Sequence, residues 1–572
     1  MRRLRDLEVL VLDCQATGAK PSNGRLLEIG WAKTSASDGN IASSLVQSHL
    51  VRWLEDGEIP RRVQRVTGID VDDLRSPSAL RSSEAWRFLT QTANEVATVD
   101  NRESCPTVIH FSRFEEPYLR HLHEDFAPGS SFPFDIVCSH EIVRRLLPDL
   151  PRRGLRAVAG YFGHTVPELR RSAHHVLATG IIWQRLVELL EQTHSIQTEE
   201  ELRSWLGSTE GKVSTGRAYP MEPDTRLRLP ERPGVYRMLR SNGDLLYIGK
   251  ARSLKKRVNS YFQKRRHHAE HILEMLTQAR HLEVTVTDTA LEAAILESDE
   301  IKRSSPPYNI ALRGRDRRIA FCGSDGIRTH TEPSDEHPVG PLPSSASLQP
   351  LGTLTEALRQ GSEHLNELDP DKLGMLPEYA PQADCLLAGF GLFRRKHLER
   401  WRGDFGLATL TRLGNDLWRE RLELVEEDDS ESEEREEEQA SDEKWEWTPE
   451  RVAGWLENLA VRGAHLVRRA RWLCLLSESV LTWEAEKSRK TEKKYIVFTE
   501  GRVHSPDGAL PPVFAKRFRD RQKSFDVSTY DRLVVVTSEL KRLLSEDRQV
   551  EIRLNDKVVL TNESLSRAVR WV

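Results

Sequence analysis

Apolar and polar positions change period several times along the chain. Val9-Leu10-Val11-Leu12 and Leu26-Leu27-Glu28-Ile29-Gly30-Trp31 have the length and branching of buried strands. Strand-like and helix-like runs then alternate to about residue 195. Gly234–Arg240 and Leu245–Lys250 flank Ser241-Asn242-Gly243-Asp244. Asn-Gly between two apolar runs predicts a hairpin, which sets Tyr236 and Tyr247 on neighbouring strands. Ser253 is placed to cap a helix on which Arg257 and Tyr261, four apart, share a face. Thr289-x-x-Glu292 reads as a capping box opening another helix. At about 100° per residue, Ala290, Ala293, Ala294 and Ile301 centre its inward stripe. Glu297 falls inside that stripe, while Glu292 and Asp299 point the other way. Near the end, Val452–Leu476 predicts a helix, and Tyr495–Thr499, Leu533–Thr537 and Val550–Leu554 predict strands.

These patterns describe a multi-domain α/β chain without internal repeats. The blocks are 1–195, a linker at 196–225, 226–315, 316–425, an acidic linker at 426–448, and 449–572. The fourth block begins with a Pro/Ser/Gly-rich linker (338–350) and becomes a helical middle region; the last is a C-terminal α/β accessory block. A length of 572 residues agrees with about three to five domains.

Composition narrows the function classes. No run approaches the ~18 apolar residues of a bilayer span, and the N-terminus lacks a signal-peptide core, so a cytoplasmic protein without membrane contact is expected. Six cysteines without a CxxC pair argue against a zinc ribbon or disulfide scaffold. The net charge is −4, but residues 426–443 hold twelve acids and one Arg. Removing that run's −11 leaves +7 on the other 554 residues. The acidic run is expected to be a disordered, solvated linker. From Lys250 to His268 there are eight Lys or Arg and no acid, with Tyr261 and Phe262 inside the run. Lys255, Lys256, Lys264, Arg265 and Arg266 there suit a phosphate backbone, and the aromatics suit bases.

The first block resembles the DEDDh exonucleases, the RNase H-like fold of proofreading subunits. The resemblance rests on Asp13 at the end of the first strand, Val66-Thr67-Gly68-Ile69, Phe134-Asp135-Ile136-Val137-Cys138 and Leu155–Gly163. In that family four carboxylates hold two metal ions. Here Gln15 stands where the motif has Glu, and Glu115 takes the place of Asp in His110-Phe111-Ser112-Arg113-Phe114-Glu115. The third motif has Arg170 at the His position and His175 at the Asp position; a second register uses His174 and Thr179. Two surviving acids are too few for two Mg²⁺. The expectation is an inactive exonuclease shape kept for DNA binding or scaffolding.

An acid on an apolar helix face costs several kcal/mol unless it is paired or binds a metal. For Glu297 the two readings are a structural salt bridge, with Arg257 as a partner, and a metal ligand. Gly234-Val235-Tyr236 and Tyr247-Ile248-Gly249 resemble the GIY-YIG nuclease motif, an α+β domain. Lys250–Phe262, Leu296-Glu297-x-x-x-Ile301-Lys302 and Pro307-Tyr308-Asn309 extend the likeness to excinuclease C and its shorter relatives of the Cho type. The resemblance implies that Glu297 binds Mg²⁺ or Mn²⁺ and that Arg257 binds the scissile phosphate. Tyr236 or Tyr247 would orient or deprotonate water with Lys250 nearby, and Tyr261 and Asn309 would complete the site. It further implies single-strand DNA incision in repair, with DNA and the damage-recognition proteins of nucleotide excision repair as partners. A 3′–5′ exonuclease using the altered first site, and a non-catalytic DNA-binding scaffold, are the alternatives.

Overall fold

The computed structural model describes the chain apart from residues 1, 39–40, 54–56, 165–169, 209–216, 264–267, 310–317, 361–369, 376–379, 398–405, 429–446, 488–489, 505–515, 547–548, 555–557 and 571–572. At 422–428, 484–487, 490–494, 504 and 570 only the backbone is described. The described residues form two compact units. One is Met1–Ala293 with Ser304–Ile310; the other is Ala294–Arg303 with Ala311–Val572.

The first unit opens with strands β1 (Val9–Ala16), β2 (Leu26–Thr34), β3 (Gln47–Leu50), β4 (Cys105–Ile109) and β5 (Phe134–Cys138) in the order β3-β2-β1-β4-β5. β1 pairs antiparallel with β2 and parallel with β4. Its alternate residues face opposite layers, as a strand's period of two requires. Val9 and Val11 join a core with Val176, Ile182 and Trp183 of helix Ser172–His194. Leu10 and Leu12 join one with Trp86, Leu89 and Ala93 of helix Ser82–Val99. Asp13 follows directly on this doubly buried stretch, inside β1 and paired with Gly30, so the strand runs three residues beyond it.

Further along the same unit, β6 (Gly234–Leu239), β7 (Leu245–Ala251) and β8 (His281–Val286) form a sheet with β6 in the centre. The predicted hairpin is present, closed by the Arg240 amide on the Asp244 carbonyl at 2.9 Å. Of its two central residues only Gly243 takes a positive φ, +89°. Helices Leu254–Ser260 and Glu270–Gln278 cover the sheet. Their Leu254, Val258, Met275 and Leu276 share a core with Tyr236, Met238 and Leu246.

The second unit holds a small sheet of β9 (Ala320–Cys322), β10 (Thr329–His330) and β11 (Val339–Leu342). β11 falls within the Pro/Ser-rich stretch, whose Leu342 and Leu348 are buried, so this stretch is more than a linker. Helices Gln349–Gln360, Ala383–His397, Leu407–Asp428 and Pro449–Leu476 surround one apolar core. The first three residues of the acidic run end the third of these helices; residues 429–446, including Lys444-Trp445-Glu446, lie outside the described residues. β12 (Ser479–Lys487), β13 (Lys490–Thr499), β14 (Arg502–His504), β15 (Val550–Arg553) and β16 (Val559–Leu560) form the last sheet.

One predicted strand is a helix. Leu533–Thr537 lies within helix Val527–Ser545, capped by Asp526, whose carboxylate accepts from the Thr529 amide. The run Leu-Val-Val-Val-Thr is β-prone by composition. Leu533, Val536, Thr537 and Leu540 are nevertheless buried at helical spacing, so packing overrode propensity.

Candidate active site

Strand pairing brings the phenols together. Tyr236 stands opposite Gly249 and Met238 opposite Tyr247. The ring centroids of Tyr236 and Tyr247 are 6.0 Å apart. A Cβ at position 249 would lie 2.4 Å from the Tyr236 hydroxyl, so the last letter of Tyr-Ile-Gly is the space that this phenol fills. Gly234 has a similar reason: its Cβ would strike the Thr285 carbonyl of β8 at 2.3 Å.

Helix Leu254–Ser260 supplies the cation. Ser253 caps it as expected, accepting from the Lys256 amide. Arg257 and Tyr261 share a face: Nη2 donates to the Tyr261 hydroxyl at 3.3 Å, and the guanidinium carbon lies 5.0 Å from the ring centroid. The Tyr261 and Tyr236 hydroxyls bond to each other at 2.9 Å. Tyr236, Tyr261 and Arg257 therefore form one continuous chain of polar groups. Tyr236 is fully buried, and burial, followed by its phenol neighbours, pushes its pKa well above the usual value. Burial opposes the charge of Arg257, but the phenols of Tyr236 and Tyr261 outweigh it and hold the guanidinium above its ordinary range. Tyr247 and Lys250 are half-buried.

Asn309 has a definite task. Its Oδ1 accepts from the Ile248 amide at 2.9 Å, and its Nδ2 donates to the Ile248 carbonyl at 2.8 Å. It clamps β7 between Tyr247 and Gly249. Lys256 is exposed, and Lys255 lies 3.7 Å from Glu231. Lys264, Arg265 and Arg266 lie outside the described residues. Sequence reading missed His268, which stacks on Tyr261 at 6.1 Å and bonds its carbonyl at 2.8 Å. No local pattern announces such a contact.

Glu297 is half-buried on helix Ala290–Ser304, whose segment Ala294–Arg303 belongs to the second unit. The helix start follows the prediction: Thr289 Oγ1 accepts from the Glu292 amide, and the Glu292 carboxylate reaches back to the Asp288 amide. The inward stripe holds at Ala293, Ala294 and Ile301. The opposite face is not free in solvent. Asp299 accepts two bonds from Arg532, at 2.9 and 3.2 Å, and Lys302 lies 3.2 Å from Asp531. Glu300 and Ser298 are buried as well. The donor offered by Glu297 is a single carboxylate. That fits a hard cation that keeps much of its water and takes further oxygens from substrate phosphates.

The altered first site is also assembled. Asp13, Gln15, Glu115 and His175 line one cleft of about 630 Å³. His175 Nδ1 lies 3.0 Å from Asp13 Oδ1 and 3.1 Å from Gln15 Nε2, which donates to Asp13 Oδ2 at 2.9 Å. His175, and not Thr179, faces Asp13; Thr179 is buried and Arg170 exposed. Glu28 sets this placement. Its buried carboxylate accepts from the Ser172 amide at 2.8 Å and from Arg171 at 2.6 Å, pinning the start of the helix that carries His175. The carboxyl of Glu115 is pushed well above the usual carboxylate range by burial and by the charge of Asp13, which favours its neutral form. These residues do not fit the two metal ions of the DEDDh pattern. One acid is bonded to an imidazole and an amide, and burial disfavours the charged form of the other.

In the last block, Arg521 is buried and donates to the Cys474 and Leu475 carbonyls at the end of helix Pro449–Leu476. It satisfies helix-end acceptors and is not a surface cation.

A three-stranded sheet whose hairpin gathers Tyr236, Tyr247 and Gly249, beside a helix presenting Arg257, defines a nuclease domain of the GIY-YIG type. Residues 232–310 match the UvrC-like GIY-YIG domain. The chain is similar there to UvrABC system protein C of Alkalilimnicola ehrlichii, 53% identical over 95 residues, 16% of this chain and 15% of that protein. The protein of that name from Bartonella quintana is 51% identical over 141 residues, 23% of this chain and 20% of the other. The chain thus spans about a fifth or less of the length of these curated relatives. The magnesium-bound GIY-YIG N-terminal endonuclease domain of UvrC from Thermotoga maritima is 35% identical, covering 16% of this chain and all of that one, with a TM-score of 0.15. Among the described residues, no helix is long and apolar enough to cross a membrane.

Proposed function

We propose that this chain is a metal-dependent DNA endonuclease that makes a single-strand incision in nucleotide excision repair. The observation that carries the reading is the linked cluster of Arg257, Tyr261 and Tyr236, kept open by Gly249. It is a charge held by phenols beside the half-buried Tyr247. Arg257 takes the scissile phosphate and opposes the charge that builds on it, a contribution worth several kcal/mol in a partly dry site. Tyr236, buried and with its pKa raised, holds its proton and positions Tyr261. Of the two phenols named for the water, Tyr247 is the better placed, since it is not sealed in the core. Lys250 adds positive charge on the same strand. Asn309 keeps β7 in register. Lys255 and Lys256, with Lys264, Arg265 and Arg266, hold the phosphate backbone. Glu297 holds Mg²⁺ or Mn²⁺, which supplies Lewis-acid polarisation and leaving-oxygen stabilisation when bound. The product is a nick with 5′-phosphate and 3′-hydroxyl ends. The relatives are named as part of a UvrABC system; for this chain the partners proposed are DNA and the damage-recognition proteins of excision repair.

The N-terminal block is read as an RNase H-like exonuclease shape without its metal site. The strand order and the Asp13–His175 pair support this. The C-terminal block is read as an accessory domain.

The test is nicking of supercoiled and lesion-bearing duplex by the full chain with Mg²⁺ or Mn²⁺. Glu297→Ala is expected to abolish it, and Arg257→Ala to slow it by about 10²-fold or more. Wild-type nicking by either variant rejects the reading. Digestion of 3′ ends that survives Glu297→Ala and disappears with Asp13→Ala would favour the exonuclease alternative. Salt-sensitive binding without cleavage in any divalent metal would favour the scaffold.

A further inference from the structure

Within the first unit the N-terminal block touches the nuclease hairpin through a buried polar network that no motif announces. Its centre is Gln278, at the end of helix Glu270–Gln278. Gln278 lies against Gly160 of helix Leu155–Tyr161 so closely that a Cβ there would come 1.9 Å from its Oε1. The same Oε1 accepts from Arg240 Nε at 3.0 Å, and Nε2 donates to the Tyr308 hydroxyl. Tyr308 in turn donates to Glu274 at 2.6 Å. Arg156 of the N-terminal block lies over the Tyr308 ring at 5.0 Å and 3.4 Å from Glu274.

Both ends of this network grip the hairpin. Arg240 is 4% exposed and follows β6 directly. Its amide closes the turn on Asp244, and Asn242 at the turn donates to the Gly163 carbonyl at 3.2 Å. Tyr308 bonds the Leu246 carbonyl through its amide, and the next residue, Asn309, holds Ile248. The strand so held carries Tyr247 and Gly249.

We propose that the N-terminal block is a positioning element for the nuclease hairpin, with Arg156 and Gly160 as its positioning residues. Arg156 fixes the Tyr308 ring, Gly160 leaves room for Gln278, and together they hold the segment that clamps β7. This rests on the nuclease reading for its kinetic consequence but not for its structural one.

The experiment uses the full chain and its Arg156→Ala, Arg156→Lys and Gly160→Leu variants. Hydrogen exchange is followed in β7, with β1 as the reference for an intact N-terminal core. Arg156→Ala should speed exchange of the Ile248 amide about tenfold while β1 is unchanged, and Arg156→Lys should restore most of the protection. Gly160→Leu should act in the same direction. Nicking by Arg156→Ala should lose kcat with KM unchanged, the mark of misplacement rather than lost binding. Unchanged β7 exchange in both Arg156→Ala and Gly160→Leu overturns the proposal. Absence of nicking by the wild-type chain overturns the nuclease reading instead, and the exchange data still decide this inference.

Discussion

Gly249 shows how one missing side chain sets a site. The gap it leaves is occupied by the Tyr236 hydroxyl, which then reaches Tyr261. Gly249→Ala should break that contact and lower nicking at least tenfold, with DNA binding retained, as measured by plasmid relaxation and by filter binding. Glu115 makes a second case. Its carboxyl is raised by burial and by Asp13, so above about pH 4.5 the unfolded chain releases a proton that the folded chain keeps. The folded state binds more protons, and its stability falls as pH rises. Glu115→Gln keeps the neutral form permanently. Its thermal midpoint should exceed wild type by a few degrees at neutral pH and match it near pH 4. A gap that narrows as pH rises would contradict this. Residue identity made Asp13 and Gln15 visible in the chain, but the bond to His175 lies 162 positions away and had to be seen.

At the scale of elements, Asn309 is the clearest lesson. As a motif residue it reads as a member of the site; in the fold both ends of its amide serve one residue of β7, Ile248. Asn309→Ala leaves the buried Ile248 amide and carbonyl without these partners, at about 1–3 kcal/mol. Chemical denaturation should show that loss, and nicking should fall with it. Asn309→Asp keeps the acceptor and should recover part of the stability. The helix carrying Glu297 teaches a related point. Period alone located its inner stripe and its Thr289 cap. Period also turned Asp299 away from that stripe, whereas Arg532 engages it, and Asp531 engages Lys302 nearby. Burial on a second face depends on what else the chain brings there. The same reasoning covers Leu533–Thr537, where branched residues suggested a strand and a helix's apolar stripe prevailed.

For the whole molecule, charge is the property most exposed to test. Without its acidic run the chain carries +7, and the basic groups near Arg257 are local. On the reading of this run as a linker, deleting residues 426–443 should leave the nicking rate and its salt dependence unchanged. Faster nicking with a steeper salt slope would assign the run a role as a nucleic-acid mimic. The hairpin, the caps of two helices and the GIY-YIG motif were determined by the sequence itself. Each depends on residues within a few positions of one another, where backbone sterics and local hydrogen bonds decide. Only the tertiary structure decided that Tyr236 is sealed and keeps its proton, that His175 ties up Asp13, and that Gly160 seats Gln278. Those outcomes turn on which distant groups lose water together, and desolvation is a property of the assembled fold, not of any stretch of chain.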